Sequence, residues 1–180
     1  SKVNNKIMNT ETETSRPGSI DRKGDAGELA PVILTLKSIL VPIDFSKTSQ
    51  TALEYAVPLA KQFGAKVTLL HAIEPLPYPV DLTYLPMGEG FPIKPLEEKL
   101  NKLAKKTIEP QHLKEVIVQV GTAFEVVTNV ARDRKVDLII ITTHGYTGLR
   151  HVFMGSTAER VVRHAPCPVF VVRKCEYKFA

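Results

Sequence analysis

The chain has 180 residues, of which 43% are hydrophobic and 24% are charged. This length suits one ordinary domain with a tail, and the composition is that of a soluble globular protein. No run approaches the roughly 18 apolar residues that a membrane span needs, and the first residues lack the apolar segment of a secretory signal.

The two cysteines, Cys167 and Cys175, form no CxxC pair and have no histidine at metal-ligand spacing. A reducing cytoplasm is therefore the expected location. The formal net charge is +5, and because the charges of residues 1–36 cancel, the surplus lies in residues 37–180. Without interleaved aromatic side chains or a binding motif, this charge fits a small anionic ligand at least as well as a polynucleotide. We expect neither a nucleic acid nor a membrane as partner.

Residues 1–36 are mostly polar and show no periodicity. We expect a mostly disordered tail over 1–36, one domain over 37–174 and a short tail over 175–180. The apolar run at 31–36, PVILTL, is unusual for a free tail, so we expect it to dock on the domain or across a dimer.

The first half of the domain predicts a strand at Ser38–Asp44, whose ladder should stop at Pro42. Ser46 is a plausible N-cap for a helix that Pro58 should kink and Gly64 should close. A second strand follows, and then a proline-rich loop. They span Lys66–His71 and Glu74–Pro95.

The second half alternates helices with apolar, β-prone runs. The predicted elements are a helix at 96–108, a strand at 116–120, a helix at 122–134, a strand at 136–141, a helix at 157–164 and a strand at 169–172. Strict alternation predicts an α/β fold, with a single doubly wound five-stranded parallel sheet and helices on both faces. In such folds ligands bind at the carboxyl ends of the strands, where strand order reverses.

The segment after the fourth strand carries the strongest signal. Glycines at 145, 148 and 155 punctuate a connection about twice the usual 2–6 residues. Ser156 with Glu159 fits a capping box, which predicts a capped helix N-terminus suited to phosphate. Alternatively, these glycines only make turns and Ser156 only caps the helix.

Three features together resemble the universal stress protein family. They are the VPIDFS turn after the first strand, His71 at the end of the second, and the block HG-x9-GS-x2-ER-x3-HAPCPV-x-VV. The resemblance covers residues 36–173 and implies a Rossmann-like fold, similar to adenine nucleotide alpha hydrolases, with sheet order 3-2-1-4-5.

The nucleotide-binding branch of that family has the loop G-x2-G-x9-G-[S/T], which matches this chain at Gly145, Gly155 and Ser156. The first glycine falls on Thr142, where a Cβ and a hydroxyl would crowd or re-aim the phosphate contact. The resemblance implies ATP or AMP as ligand, with Mg²⁺ as a possible companion. The residues that it places around the nucleotide are Pro42, Ile43, Asp44, Ala72, Ile141, Thr142, His144, Gly145, Arg150, Gly155, Ser156 and Thr157.

Several of these residues have a structural alternative. Asp44 could help to cap the first helix, and His144 could be a packed turn residue. Arg150 could neutralise a phosphate or be a solvated charge. His71 is expected to make a structural hydrogen bond at the end of its strand.

Three functions remain open on sequence alone. The first is a nucleotide-binding regulatory module in the stress response, acting as a homodimer through strand 169–172. The second is a slow ATP hydrolase, which the absence of a P-loop and of an evident base disfavours. The third is a dimeric scaffold that binds no nucleotide.

Overall fold

The structure is a computed structural model that describes residues 35–75, 91–143 and 154–173. Its elements in chain order are β1 (Ser38–Pro42), α1 (Lys47–Gln50), α2 (Leu53–Phe63), β2 (Lys66–Ile73), α3 (Ile93–Thr107), a 3-10 turn (Pro110–His112), β3 (Leu113–Val120), α4 (Ala123–Asp133), β4 (Leu138–Thr142), α5 (Ser156–His164) and β5 (Val169–Val172). In this described part of the chain, no helix is long and apolar enough to cross a membrane.

The strands form one parallel sheet in the order β3-β2-β1-β4-β5, which confirms the predicted fold class. The chain builds outward from β1 to β3 and then crosses back to place β4 on the other side of β1. Strand order therefore reverses between β1 and β4. The connections leaving these two strands diverge, which opens a crevice at the carboxyl edge of the sheet.

Both faces of the sheet are buried, because side chains of the central strand alternate between two core clusters. Ile39 and Val41 pack with residues of α2 and α3, whereas Leu40 packs with residues of α4 and α5. All three are 0% exposed. Burying an aliphatic side chain contributes roughly 1.5–3 kcal/mol, so the apolar strand runs anchor the fold and hold the carboxyl edge in place.

The start of the domain is fixed at the opposite, amino edge. Leu36 is 7% exposed and belongs to the core cluster of α2 and α3, so this end of the apolar run docks as expected. Thr35 is exposed, and residues 31–34 lie outside the described residues. Asp137 Oδ2 accepts the amides of Lys37 (2.8 Å) and Ser38 (2.9 Å), which joins the starts of β1 and β4.

The single kinked helix predicted after the first strand is wrong, because it is divided at Thr51 and Ala52. The amide and the hydroxyl of Thr51 both donate to the Thr48 carbonyl, at 3.0 and 2.7 Å, and this i−3 bonding tightens the turn. Pro58 lies inside α2, which runs on past it.

The predicted ends of this region are confirmed. Ser46 is the N-cap of α1, and its Oγ accepts the Ser49 amide at 2.9 Å. Gly64 closes α2 in the left-handed conformation, with φ 66°.

Several predicted bounds are corrected. β1 ends at Pro42 and not at Asp44, β2 continues to Ile73, α3 begins at Ile93, β3 begins at Leu113, β4 runs from Leu138 to Thr142, and α5 begins at Ser156. The strand 169–172 is found as predicted and lies at one edge of the sheet.

Candidate functional site

A cavity of about 400 Å³ lies at the carboxyl edge of the sheet. Three strand ends and two helix starts surround it, namely those of β1, β2 and β4 and those of α4 and α5. Its volume is within the range of small-molecule sites, roughly 300–1,000 Å³. The strand-order reversal between β1 and β4 is part of its wall, as the fold rule for ligand binding in open α/β sheets requires.

Nine of the predicted site residues line this one cavity. They are Pro42, Ile43, Asp44, Ala72, Ile141, Thr142, Gly155, Ser156 and Thr157. The other three, His144, Gly145 and Arg150, lie outside the described residues. Predicted residues as far apart in the chain as Pro42 and Thr157 are thus brought together.

At the end of β1, Asp44 shapes a tight turn into α1. Its Oδ1 accepts the amide of Ser46 at 2.9 Å, and its own amide donates to Ser49 Oγ at 3.3 Å. Phe45 between them adopts φ 63°, a left-handed conformation that costs energy for a non-glycine residue. Asp44 was expected either to contact a ligand or to help to cap the first helix. Its carboxylate does support the N-cap of α1, and Asp44 also lines the cavity.

At the end of β2, the backbone of Ala72 faces the cavity. The Leu70 carbonyl accepts the amide of Ile43, on the β1 side, and the Ile73 carbonyl accepts the amide of Gly121, on the β3 side. Successive residues of a strand direct their peptide groups to alternate sides, so those of Ala72 point toward β1. Pairing between β1 and β2 ends at Pro42 and Leu70, and Ala72 lies beyond it.

His71 has the structural role that was expected of it. Its Nδ1 lies 2.7 Å from the carbonyl oxygen of Ile43, and its ring lies 4.5 Å from that of Phe45. These contacts tie the end of β2 to the turn that follows β1.

On the opposite side of the cavity, the predicted capping box is wrong. The N-cap of α5 is Gly155 and not Ser156, and the amide of Glu159 donates to the Gly155 carbonyl at 3.0 Å. The Glu159 carboxylate instead pairs with Arg163, one turn on, at 2.8 Å. With Gly155 as N-cap, the capping-box position falls on Ala158, so Glu159 is one residue too late for the box and pairs along the same helix face instead.

Gly155 is held by its backbone. Its amide donates to the Thr143 carbonyl at 2.6 Å, and the Thr143 amide donates to Val172 at 2.8 Å. The amide of Gly155 is therefore engaged within the fold, and the amides left for a ligand are those of Ser156, Thr157 and Ala158. Helix geometry leaves these three without an acceptor inside the helix, and among residues 35–75, 91–143 and 154–173 no side chain caps α5.

Glu74 is a cavity residue that the sequence reasoning missed. Its Oε1 accepts the amide of Ala123, the first residue of α4, at 2.8 Å. Both residues line the cavity. The two residues are 49 positions apart, so no local sequence pattern predicts their contact. The position of Glu74 just after a predicted strand could still have marked it as a candidate site residue, because ligands bind at the carboxyl ends of strands.

The two helix starts at the cavity thus differ in electrostatic character. The positive end of α4 is met by the Glu74 carboxylate, whereas no side chain of the described ranges makes a capping hydrogen bond at the start of α5. In the described residues, no group of three histidine, cysteine or acidic side chains could hold a metal ion. The cavity therefore favours an anion at α5 and an uncharged or donor group near α4.

Comparison with known proteins gives a consistent result. A sequence model of the universal stress protein family matches residues 35–173. Two relatives, the universal stress proteins MJ0531 and MJ0577 of Methanocaldococcus jannaschii, are each 32% identical to this chain. Both matches cover 77% of this chain, and they cover 82% and 95% of the two relatives.

Solved structures agree with these matches. The structure of MJ0577 has a TM-score of 0.66 at 28% identity and covers 80% of this chain and 100% of that one. A universal stress protein solved in complex with cAMP has a TM-score of 0.56 at 21% identity, covering 77% of this chain and 98% of that one. This second likeness is one of fold alone.

Proposed function

The chain belongs to the universal stress protein family, and on that premise we propose that it is an adenine-nucleotide-binding regulatory module that takes ATP or AMP. The observation that carries the proposal is the start of α5 at the cavity wall, where the first three amides have no acceptor inside the helix and no capping side chain among the described residues. The cAMP complex of a protein of the same fold supports adenine nucleotides as the ligand class.

The phosphate would lie at α5. Amides at a helix N-terminus converge on an anion, and the helix dipole adds attraction of roughly 0.3–1 kcal/mol, more where water is excluded. Ser156 is exposed, so its hydroxyl can add a donor. Arg150 and His144 remain proposed contacts from the sequence.

The ribose and base would extend from there across the end of β1 toward β2. Asp44 lies on this line, and its carboxylate is suited to accept ribose hydroxyls. Beyond it, the peptide groups of Ala72 offer one donor and one acceptor to the edge of a base. Pro42, Ile43 and Ile141 supply apolar surface along the same path.

The proposal includes that the protein binds the nucleotide without hydrolysing it. Phosphoryl transfer needs metal ligands, a placed nucleophile and a base. The carboxylates of the described cavity wall, Asp44 and Glu74, both accept backbone amides that hold local structure. Any Mg²⁺ would therefore be held largely by phosphate oxygens, with Asp44 nearest.

A substitution at the first residue of α5 tests the phosphate site without disturbing the helix. Proline is favoured at this position because its missing amide has no helical acceptor, and Gly155 already has the extended φ −68°, ψ 150° that a following proline requires. Ser156→Pro should therefore fold normally and weaken ATP and AMP binding about tenfold or more, because one charge-assisted hydrogen bond is lost.

Ser156→Ala is the matched control, since it removes the hydroxyl and keeps the amide. Titration calorimetry should show a smaller loss for Ser156→Ala than for Ser156→Pro, with equal melting temperatures for both. Equal nucleotide affinity in wild type and Ser156→Pro would place the phosphate elsewhere.

A further inference from the structure

Glu74, like Asp44, is a carboxylate of the cavity wall, and its charge is opposite to the one that a phosphate site needs. It lies at the end of β2, and its Oε1 is fixed by the Ala123 amide at 2.8 Å. Its other oxygen, Oε2, makes no hydrogen bond within the described ranges. Glu74 Oε2 can therefore accept a hydrogen bond from a donor group of a ligand in the cavity.

The placement of Glu74 also fixes which part of a ligand can approach it. Its negative charge neutralises the start of α4, so a phosphate there would meet repulsion. The α5 start follows β4, which lies on the other side of β1 from β2 in the sheet order, whereas Glu74 follows β2. A ligand with its phosphate at α5 therefore brings its other end, the base, to Ala72 and Glu74.

Resting on the proposed function, we propose that Glu74 sets the base specificity of the site by accepting a hydrogen bond from the exocyclic amino group of adenine. That amino group carries two N–H donors. One can pair with the Ala72 carbonyl, which faces past the end of β1, and the other with Glu74 Oε2. A 6-oxopurine places an oxygen at the same point, against the carbonyl and the carboxylate.

The energetic consequence is asymmetric. A charge-assisted hydrogen bond is among the stronger kinds, and a bound base that covers the exposed Glu74 carboxylate without donating to it would leave this acceptor unpaired. The wild-type protein should therefore bind AMP more tightly than IMP by tenfold or more. Ala72 alone would discriminate as well, so the test must isolate Glu74.

Glu74→Gln does so, because its amide oxygen can still accept from Ala123 while its NH₂ replaces the second oxygen. The AMP-to-IMP preference should fall at least tenfold, with AMP bound more weakly and IMP more tightly. Glu125→Gln is the matched control. Glu125 is an exposed carboxylate in the first turn of α4, the helix whose first amide Glu74 accepts, and it is not part of the cavity wall. Removing its charge should therefore leave the AMP-to-IMP preference unchanged.

A ligand-side measurement guards against a misfolded variant. Purine riboside 5′-monophosphate lacks the amino group, and wild type should bind it about tenfold more weakly than AMP. The same pair of ligands on Glu74→Gln completes a cycle in which the coupling between Glu74 and the amino group is read directly.

The outcomes separate this proposal from the function on which it rests. A preference that falls in Glu74→Gln and holds in Glu125→Gln supports it. An unchanged preference, with AMP still bound, overturns the role of Glu74 and leaves the nucleotide site standing. No binding of AMP to wild type at millimolar concentration would overturn both.

Discussion

Thr142 is the residue at which this chain departs from the glycine pattern of the nucleotide-binding branch. It is the last residue of β4, pairs with Val172 and is 7% exposed at the cavity wall. A Cβ at this point reduces the space for a phosphate chain more than for a single phosphate. The affinity for ATP should therefore be affected more than the affinity for AMP.

Thr142→Gly should tighten ATP binding several-fold, leave AMP binding nearly unchanged, and lower the free energy of unfolding by about 1 kcal/mol through backbone entropy. Thr142→Ala is the matched control, because it removes the hydroxyl but keeps the Cβ and therefore should not tighten ATP binding. Calorimetric titration with both nucleotides checks this. An unchanged ratio of ATP to AMP affinity would mean that the loop has adapted around Thr142.

The role of a residue could be predicted where the residue belongs to a sequence motif. It was missed where the role depends on a contact with a residue distant in the sequence. The carboxylate of Glu159 was expected at the helix start and is found on Arg163, because the N-cap is Gly155 and Glu159 therefore lies one position beyond the one that a capping box uses. Glu74 was missed because its partner, Ala123, follows a different strand.

At the scale of elements, the turn between β3 and α4 depends on a glycine. Gly121 adopts φ 148°, and a Cβ there would lie 2.9 Å from Val126 Cγ2. Val126 is 3% exposed in the core cluster of α4 and α5, so it has little room to move.

Gly121→Ala should therefore lower the free energy of unfolding by about 2–3 kcal/mol, from backbone strain and crowding together. Gly64→Ala is the comparison, since Gly64 has φ 66° but open space around its Cβ position. It should cost only about 1 kcal/mol. Urea denaturation of both variants measures the difference, and equal losses would show that crowding at Val126 is relieved by local movement.

The elements themselves were largely predictable because each apolar run matches a buried strand or a helix face. The bounds were not, and the reasons are physical. Helix α3 begins at Ile93 in spite of Pro95, since a proline in the first turn gives up an amide that has no helical partner. β3 begins at Leu113 although Lys114 and Glu115 interrupt the apolar pattern, because it is an edge strand with half-exposed side chains.

At the scale of the whole molecule, β5 is an edge strand whose outer side is open in the described part of the chain. Pro168 and Val172 direct their carbonyls to β4, where they accept the amides of Ile139 (3.1 Å) and Thr143 (2.8 Å). The peptide groups of Val169 and Val171 therefore face outward. Since the strand residues Val169–Val172 carry no charge that would protect this apolar edge, we propose that a second copy pairs with it antiparallel about a two-fold axis.

Val171→Pro removes one outward amide while the ladder to β4 stays intact, so it should shift the protein to monomers and leave nucleotide affinity within about twofold. Val171→Thr keeps the amide and should remain dimeric. Light scattering at tens of micromolar checks both, and a monomeric wild type or a dimeric Val171→Pro would contradict pairing through β5.

Equilibrium dialysis of the wild-type protein against ATP, ADP and AMP at millimolar concentration tests the nucleotide site most directly. Dialysis counts bound ligand and does not depend on a heat of binding. We expect one equivalent of at least one of these nucleotides per chain, and a marked decrease in Ser156→Pro measured beside it. Wild-type protein that retains none of the three at millimolar concentration would contradict the proposal that this cavity is an adenine nucleotide site.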